Sequence, residues 1–313
     1  MRLDRVLAVV LVVICLVAAI GNWVSGSSLR RTEQDRTPDI ALIDVYGGIS
    51  DTASSSPFGG SSGASTNGLL DAIQKARQDK VKAILLRINS PGGTAAAAQS
   101  VYHELMRVRK ETNVKIVASL GDVAASGGYY IASAAHHIVA NPATLTGSIG
   151  VIVRTQNVAT LLDKLGVQSN SIQSGPFKDI LSPFRSSTPD ERKIIQGIVT
   201  DSYEQFLASI VAGRNISLPE LRKLADGRIF TGAQAKAVNL VDSLGNYRDA
   251  VQTTAQLIHV KGEPSLRNYT SRGLSGSLLG RLLPFSGNSV FPPGNNVLPI
   301  SIASDKVPLA LME

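Results

Sequence analysis

The sequence predicts an α/β protein built on a parallel sheet. Three observations carry this: continuous aliphatic runs, amphipathic stretches between them, and Gly, Pro, Ser or Asn at the junctions. The runs 39–45, 83–88 and 115–119 lack the polar alternation of a one-sided strand, which marks strands covered on both faces. The stretches between them are long enough to hold the crossover helix that parallel strands need.

At the amino end, residues 6–29 carry no charged side chain, and 6–20 are almost wholly aliphatic. About 20 helical residues cross the roughly 30 Å hydrocarbon core of a bilayer. Residues 1–29 are therefore expected to form one uncleaved transmembrane helix. A cleaved signal peptide is the competing reading, kept open by Ala18, Ala19, Gly21 and Ser25. Trp23 would sit at the membrane interface, with Arg2 and Arg5 in the cytoplasm and the rest of the chain on the other side. Arg30, Arg31 and Arg36 weaken that charge asymmetry. Residues 30–38 read as a polar linker.

Residues 39–45 are the first buried strand. The Gly/Ser-rich stretch 47–68 is too poor in apolar residues to pack and reads as a surface loop. A helix over 68–78, a strand over 83–88, a helix over 95–110 and a strand over 115–119 follow. After Ser126 a helix runs to about 135, the apolar runs 137–140 and 149–153 are further strands, and 157–165 is helical. Thr188-Pro189-Asp190-Glu191 is a capping box with proline at the first helical position, and it opens a long helix to about 212. Ser217-Leu218-Pro219-Glu220 and Thr231-Gly232-Ala233-Gln234 repeat the device for two shorter helices, and a last helix covers 247–258. The folded domain is thus expected over 39–260. Residues 261–313, rich in Gly, Ser, Pro and Asn, read as a low-complexity tail. Within it Leu274, Leu278, Leu279, Leu282 and Leu283 share one helical face beside Arg272 and Arg281, which suits a docking turn or a membrane-surface contact.

Composition excludes several chemistries. The net charge of +7 is dispersed and aromatics make up only 5% of the chain, so a solvated surface with some affinity for anionic lipid is expected rather than a nucleic-acid interface. The one cysteine, Cys15, lies in the apolar amino-terminal stretch; this rules out an intrachain disulfide, a cysteine zinc site and a thiol nucleophile. Of the four histidines, His136 and His137 open a buried strand and read as core or hydrogen-bonded residues.

A hydroxyl nucleophile remains. Ser126 follows a buried strand and starts a helix, where free backbone N–H groups and the helix dipole favour developing negative charge. Ala124 stands where the first glycine of a Gly-x-Ser-x-Gly elbow would be, so this is not the α/β-hydrolase turn. Asn89-Ser90-Pro91-Gly92-Gly93 ends a central strand, and its glycines let the backbone approach a ligand, or simply form a turn. Lys178 lies fifty-two positions after Ser126 with Pro176, Phe177, Ile180 and Leu181 around it. Alone it reads first as a surface lysine; desolvated by those neighbours it would be a neutral general base.

Five ordered motifs then resemble one family: residues 87–93, 121–130, 146–151, 174–180, and 227–232 with Leu240-Val241-Asp242. Together they resemble the signal peptide peptidase A family in its short, single-repeat form, over about residues 39–260. The resemblance implies a ClpP/crotonase-like fold of repeated ββα units and a serine endopeptidase with a Ser/Lys dyad. It implies Ser126 as nucleophile, Lys178 as base, Ser148 orienting that lysine, and Gly93 and Gly127 N–H groups as oxyanion hole. It also implies remnant signal peptides as substrates, no cofactor or metal, and a homo-oligomeric ring, an octamer, in which one protomer's serine meets its neighbour's lysine. The expected location is the bacterial inner (plasma) membrane, single-pass, with the catalytic domain on the non-cytoplasmic side. Asn239 departs from the family's glycine, and the tail is longer than usual. The competing readings are a crotonase-like acyl-CoA enzyme, which would need acidic catalytic residues and leave Lys178 idle, and a catalytically silent membrane scaffold.

Overall fold

The computed structural model describes residues 37–52 and 63–270. The expected anchor over 1–29, most of the 30–38 linker and the leucine cluster at 274–283 lie outside the described residues. Among the described residues no helix is long and apolar enough to cross a membrane.

The elements run β1 (Ile40–Tyr46), β2 (Ile49–Ser50), β3 (Ala64–Ser65), α1 (Thr66–Gln78), β4 (Ala83–Ser90), α2 (Ala95–Glu111), β5 (Lys115–Ala125) and α3 (Gly127–Ala132). There follow β6 (His137–Ala140), β7 (Leu145–Gly147), α4 (Ala159–Lys164), α5 (Pro189–Gly213), α6 (Leu218–Leu224), β8 (Ile229–Thr231), α7 (Gly232–Ala237), β9 (Ser243–Leu244), α8 (Tyr247–Leu257) and β10 (Leu266–Asn268). The main sheet has the order β10-β1-β4-β5-β6-β9, all parallel.

The central strands are covered on both faces, as their continuous apolar character requires. Ile84, Leu86 and Ile88 of β4 belong to the larger core with α1, α2 and α3, while Leu85 joins Ile40, Val117 and Val139 under α8. Each fully buried Leu or Ile contributes roughly 1.5–3 kcal/mol. α3 is buried on every side, so the helix that follows Ser126 is an internal element. The predicted capping boxes form at Thr188, Ser217 and Thr231, and Asn246 adds another.

β5 forks, and the fork builds the site. Its first half pairs β6 through Val117–Leu120; its last half pairs β7, with Ala125 opposite Gly147. β7 then pairs β8 antiparallel. The strand expected over 149–153 is corrected: the pairing segment is Leu145–Gly147, and Ile149 to Val153 belong to no strand. These residues have an apolar sequence but no partner strand among the described residues, and Ile152 is 72% exposed.

Two further differences have plain causes. The 47–68 loop contributes β2 and β3, a parallel pair anchored by buried Ile49. β10 adds a strand beyond residue 260, because pairing with β1 is a backbone matter that a polar sequence can satisfy. Asn239 has φ 62, the left-handed conformation that asparagine tolerates better than most residues.

Candidate active site

Ser126 sits between β5 and α3 in a conformation that L-residues rarely adopt, φ 51 and ψ −119. Such strain persists only where the surroundings over-determine it. Its N–H donates to Gly147 O at 2.9 Å, and its carbonyl accepts from Tyr130 N at 2.8 Å. The turn is thus pinned by β7 on one side and by α3 on the other, leaving the half-buried side chain at the helix start.

Gly92 and Gly93 come against this turn. Gly92 has φ +111, and a Cβ there would lie 2.9 Å from both Gly127 N and Ser126 Cβ. Buried Ser90 fixes the loop by donating to Gly47 O at 2.6 Å and accepting from Gly92 N at 3.1 Å. β2 fixes it from the other side: Ile49 N donates to Gly92 O and Thr94 N donates to Ile49 O, both at 2.9 Å. That bridge uses the peptide groups flanking Gly93, so the Gly93 N–H faces away from β2. A Cβ on Gly127 would stand 3.2 Å from Gly93 N, which shows how close the two glycines are. Gly127 is the first residue of α3, so its N–H has no acceptor within the helix.

Ser148 follows Gly147 as Ser126 follows Ala125, so the two serines extend adjacent, registered strands. Ser148 also has positive φ, 50, and its N–H donates to Arg228 O at 2.8 Å.

A cavity of about 430 Å³ opens beside Ser126, Gly93 and Gly127. Ala98, Tyr130, Val151, Ile198, Val199 and Phe206 give it an apolar lining. The Tyr130 ring stacks on Phe206 with centroids 4.4 Å apart, and its hydroxyl meets Ser209 Oγ at 2.7 Å. Burial raises the Tyr130 hydroxyl above its ordinary value, so the group stays neutral. The sequence reading missed this wall, although Ile198, Ser202 and Phe206 recur at a spacing of four behind the Thr188 cap.

Lys178 stands apart from this cluster. It lies on an exposed turn, its N–H donating to Gly175 O at 3.2 Å, and it does not line the cavity. Its side chain makes no hydrogen bond or ion pair among the described residues. The apolar neighbours expected to desolvate it are themselves open, Phe177 at 44% and Leu181 at 39% exposed. The structure of one chain therefore brings together Ser126, Ser148, Gly93 and Gly127 but leaves Lys178 outside.

The histidines serve the scaffold. His136 Nδ1 accepts from Ile116 N at 3.0 Å, and burial with Arg109 and Lys115 nearby lowers its pKa to about 4. His137 Nε2 meets Ser243 Oγ at 2.9 Å. Behind α3, buried Arg214 makes two 2.8 Å bonds to Asp242, whose carboxylate also accepts from Ile138 N at 2.7 Å.

Residues 108–261 match Peptidase family S49. The chain is 45% identical over 218 residues to "Putative protease slr0021" of Synechocystis, covering 70% of this chain and 74% of that protein. It is 38% identical over 215 residues to "Putative signal peptide peptidase SppA" of Enterococcus faecium, covering 68% of this chain and 62% of the relative. With "Protease 4" of Salmonella typhi it shares 35% identity over 272 residues, 84% of this chain but 43% of the relative. By these matches the chain belongs to peptidase family S49, the serine-type signal peptide peptidase A proteases.

Proposed function

We propose that the chain is a membrane-anchored serine endopeptidase that cleaves extended apolar peptides, remnant signal peptides among them, on the non-cytoplasmic side of the bacterial inner membrane. The observation that carries this reading is the strained Ser126 turn, which lines an apolar cavity together with Gly93 and Gly127. Val151 to Val153, apolar and unpaired along that cavity, offer an edge to which an extended peptide can add as a strand.

In the reaction Ser126 Oγ attacks the scissile carbonyl carbon while its proton passes to the neutral Lys178 amine. The carbonyl oxygen, now negative, accepts from Gly93 and Gly127 N–H. Lys178 then gives the proton to the leaving amine, and an acyl-enzyme remains. A water attacks the ester, loses its proton to Lys178 and frees the acid, with Ser126 recovering its hydrogen. Ser148 Oγ accepts from the lysine amine and orients it without adding a charge that would favour the ammonium.

Among the described residues Lys178 is exposed and its side chain has no hydrogen bond or ion pair, and the stretch 152–184 around it exposes the apolar Ile152, Leu165 and Phe184. Both facts support a dyad completed by a second copy in a homo-oligomeric ring. Ser126→Ala and Lys178→Ala should each abolish cleavage of an apolar fluorogenic peptide while assembly is retained. Mixing the two inactive forms during assembly should restore part of the activity, since some interfaces would regain a serine and a lysine. Near-wild-type cleavage by either single variant would sink the dyad, and failure of the mixture would sink its sharing between copies. The mass of the mature amino terminus tests the anchor.

A further inference from the structure

The turn that carries Lys178 is tied down by one side chain. Arg185 Nε donates to Asp179 Oδ2 at 2.8 Å and Nη2 to Asp179 Oδ1 at 2.6 Å, a bidentate pair with the residue next to the lysine. The same guanidinium donates through Nη1 to Glu191 Oε2 at 2.9 Å and through Nη2 to Glu191 Oε1. Glu191 is only 2% exposed and closes the capping box of α5, accepting from Thr188 N at 2.8 Å. Through Arg185 the Lys178 turn is therefore coupled to the first turn of a 25-residue helix whose Ile198 and Phe206 line the Ser126 cavity.

We propose that Arg185 is a positioning residue for Lys178, which sets the height of the lysine turn against α5 and offsets the carboxylate of Asp179, the next residue along. This rests on the reading of Lys178 as the general base. A base lysine must be neutral, and an unopposed carboxylate at the next position would favour the ammonium. The carboxylates are engaged: the Arg185 guanidinium holds Asp179 below the ordinary carboxylate range and takes Glu191 down to about 2. Other charged groups on this turn and on neighbouring segments are Asp190, Arg192 and Lys193 on α5, Arg154, and Asp163 and Lys164 on α4; none forms an ion pair among the described residues. The adjustable charge next to the lysine is thus that of Asp179 and Arg185.

The triad carries a net charge of −1, which becomes −2 in Arg185→Gln, 0 in Asp179→Asn and −1 again in the double variant. The pH dependence of kcat/KM on an apolar fluorogenic peptide, measured with the full-length chain between about pH 6 and 10, reads this ladder. A unit charge at about 10 Å across a partly wet interface moves a pKa by about half a unit. The acid limb should rise by about that much in Arg185→Gln, fall by a similar amount in Asp179→Asn, and return to the wild-type position in the double variant. At pH 7 Arg185→Gln should also lose about threefold in kcat/KM, since the neutral amine is scarcer on the acid limb. A uniform loss of activity with no movement of the limb would mean that Arg185 only props the fold, and would overturn the proposal. Should Arg185→Gln fail to fold, Asp179→Asn decides alone, and an unmoved limb overturns it. Lys178→Ala separates the two claims: if it remains active, the dyad itself falls, whatever Arg185 does.

Discussion

Replacing Gly93 by alanine tests the oxyanion arrangement most directly. An ideal Cβ at this position would lie 1.8 Å from Ile49 O and 2.5 Å from Ile49 C, both backbone atoms that cannot rotate away. Contacts under 3.0 Å are essentially never tolerated, so the loop and β2 must separate by more than 1 Å. That movement breaks the bonds from Ile49 N to Gly92 O and from Thr94 N to Ile49 O, and it takes the Gly93 N–H with it. Oxyanion donors act at about 2.7–3.1 Å, and loss of one costs about 10²–10³ in kcat, or about 3–4 kcal/mol. Steady-state cleavage of the fluorogenic peptide should show this mainly in kcat, because the larger apolar side chains of the cavity, Tyr130, Val151, Ile198, Val199 and Phe206, belong to other segments. Gly197→Ala is the matched control: nothing lies within 4 Å of its added Cβ in α5, so kcat should hold and stability should rise by about 0.5–1 kcal/mol. A Gly93→Ala enzyme with kcat within threefold of wild type would refute the assignment of this N–H to the oxyanion.

Other consequences are open to measurement. His136 has a folded pKa of about 4 against 6.5 unfolded, so the unfolded chain takes up the proton first; its contribution is intact above about pH 6.5 and is lost as pH falls toward 4. Denaturant melts at pH 7.5, 5.5 and 4.5 should show that decline, and His136→Gln should flatten it; an equal slope in the variant would contradict the argument. Asp242→Ala leaves Arg214, 7% exposed, as an unpaired buried charge and removes the acceptor for Ile138 N, so stability should drop by about 3–5 kcal/mol. A loss under 1 kcal/mol in thermal melts would show that water compensates. Thr188→Ala removes the capping oxygen of α5 and should cost about 1 kcal/mol. A fully unchanged melting temperature would argue that the Glu191 side of the box suffices.

Much of the fold was legible because its signals are local. The run Ala-Ile-Leu-Leu from Ala83 announces a strand covered on both faces, and Thr188-Pro189-Asp190-Glu191 announces a helix start; neither depends on the rest of the chain. Residues 149–153 were misread as a strand because an apolar run cannot say whether a partner strand exists, and none does among the described residues. β10 was missed for the converse reason: Leu266–Asn268 has little apolar content and is held by β1, more than two hundred residues earlier. The site divides in the same way. Ser126, Gly92 and Gly93 stand out because turns that demand small residues are written in adjacent positions. Lys178 carries no such mark, and among the described residues it is exposed and lies outside the cavity. Arg185 was overlooked because its partners Asp179 and Glu191, six residues away on either side, meet only through the turn between them.

The exposure of Lys178 has a consequence for when the enzyme becomes dangerous. A protease that recognises extended backbone discriminates poorly among sequences, so its safety depends on timing. If nucleophile and base belong to different copies, a newly made chain is harmless, and cleavage begins only when copies meet. Activity would then rise faster than linearly with the amount of protein. Dilution would act as an off-switch, and the cell would need neither a propeptide nor an inhibitor to keep the newborn chain silent.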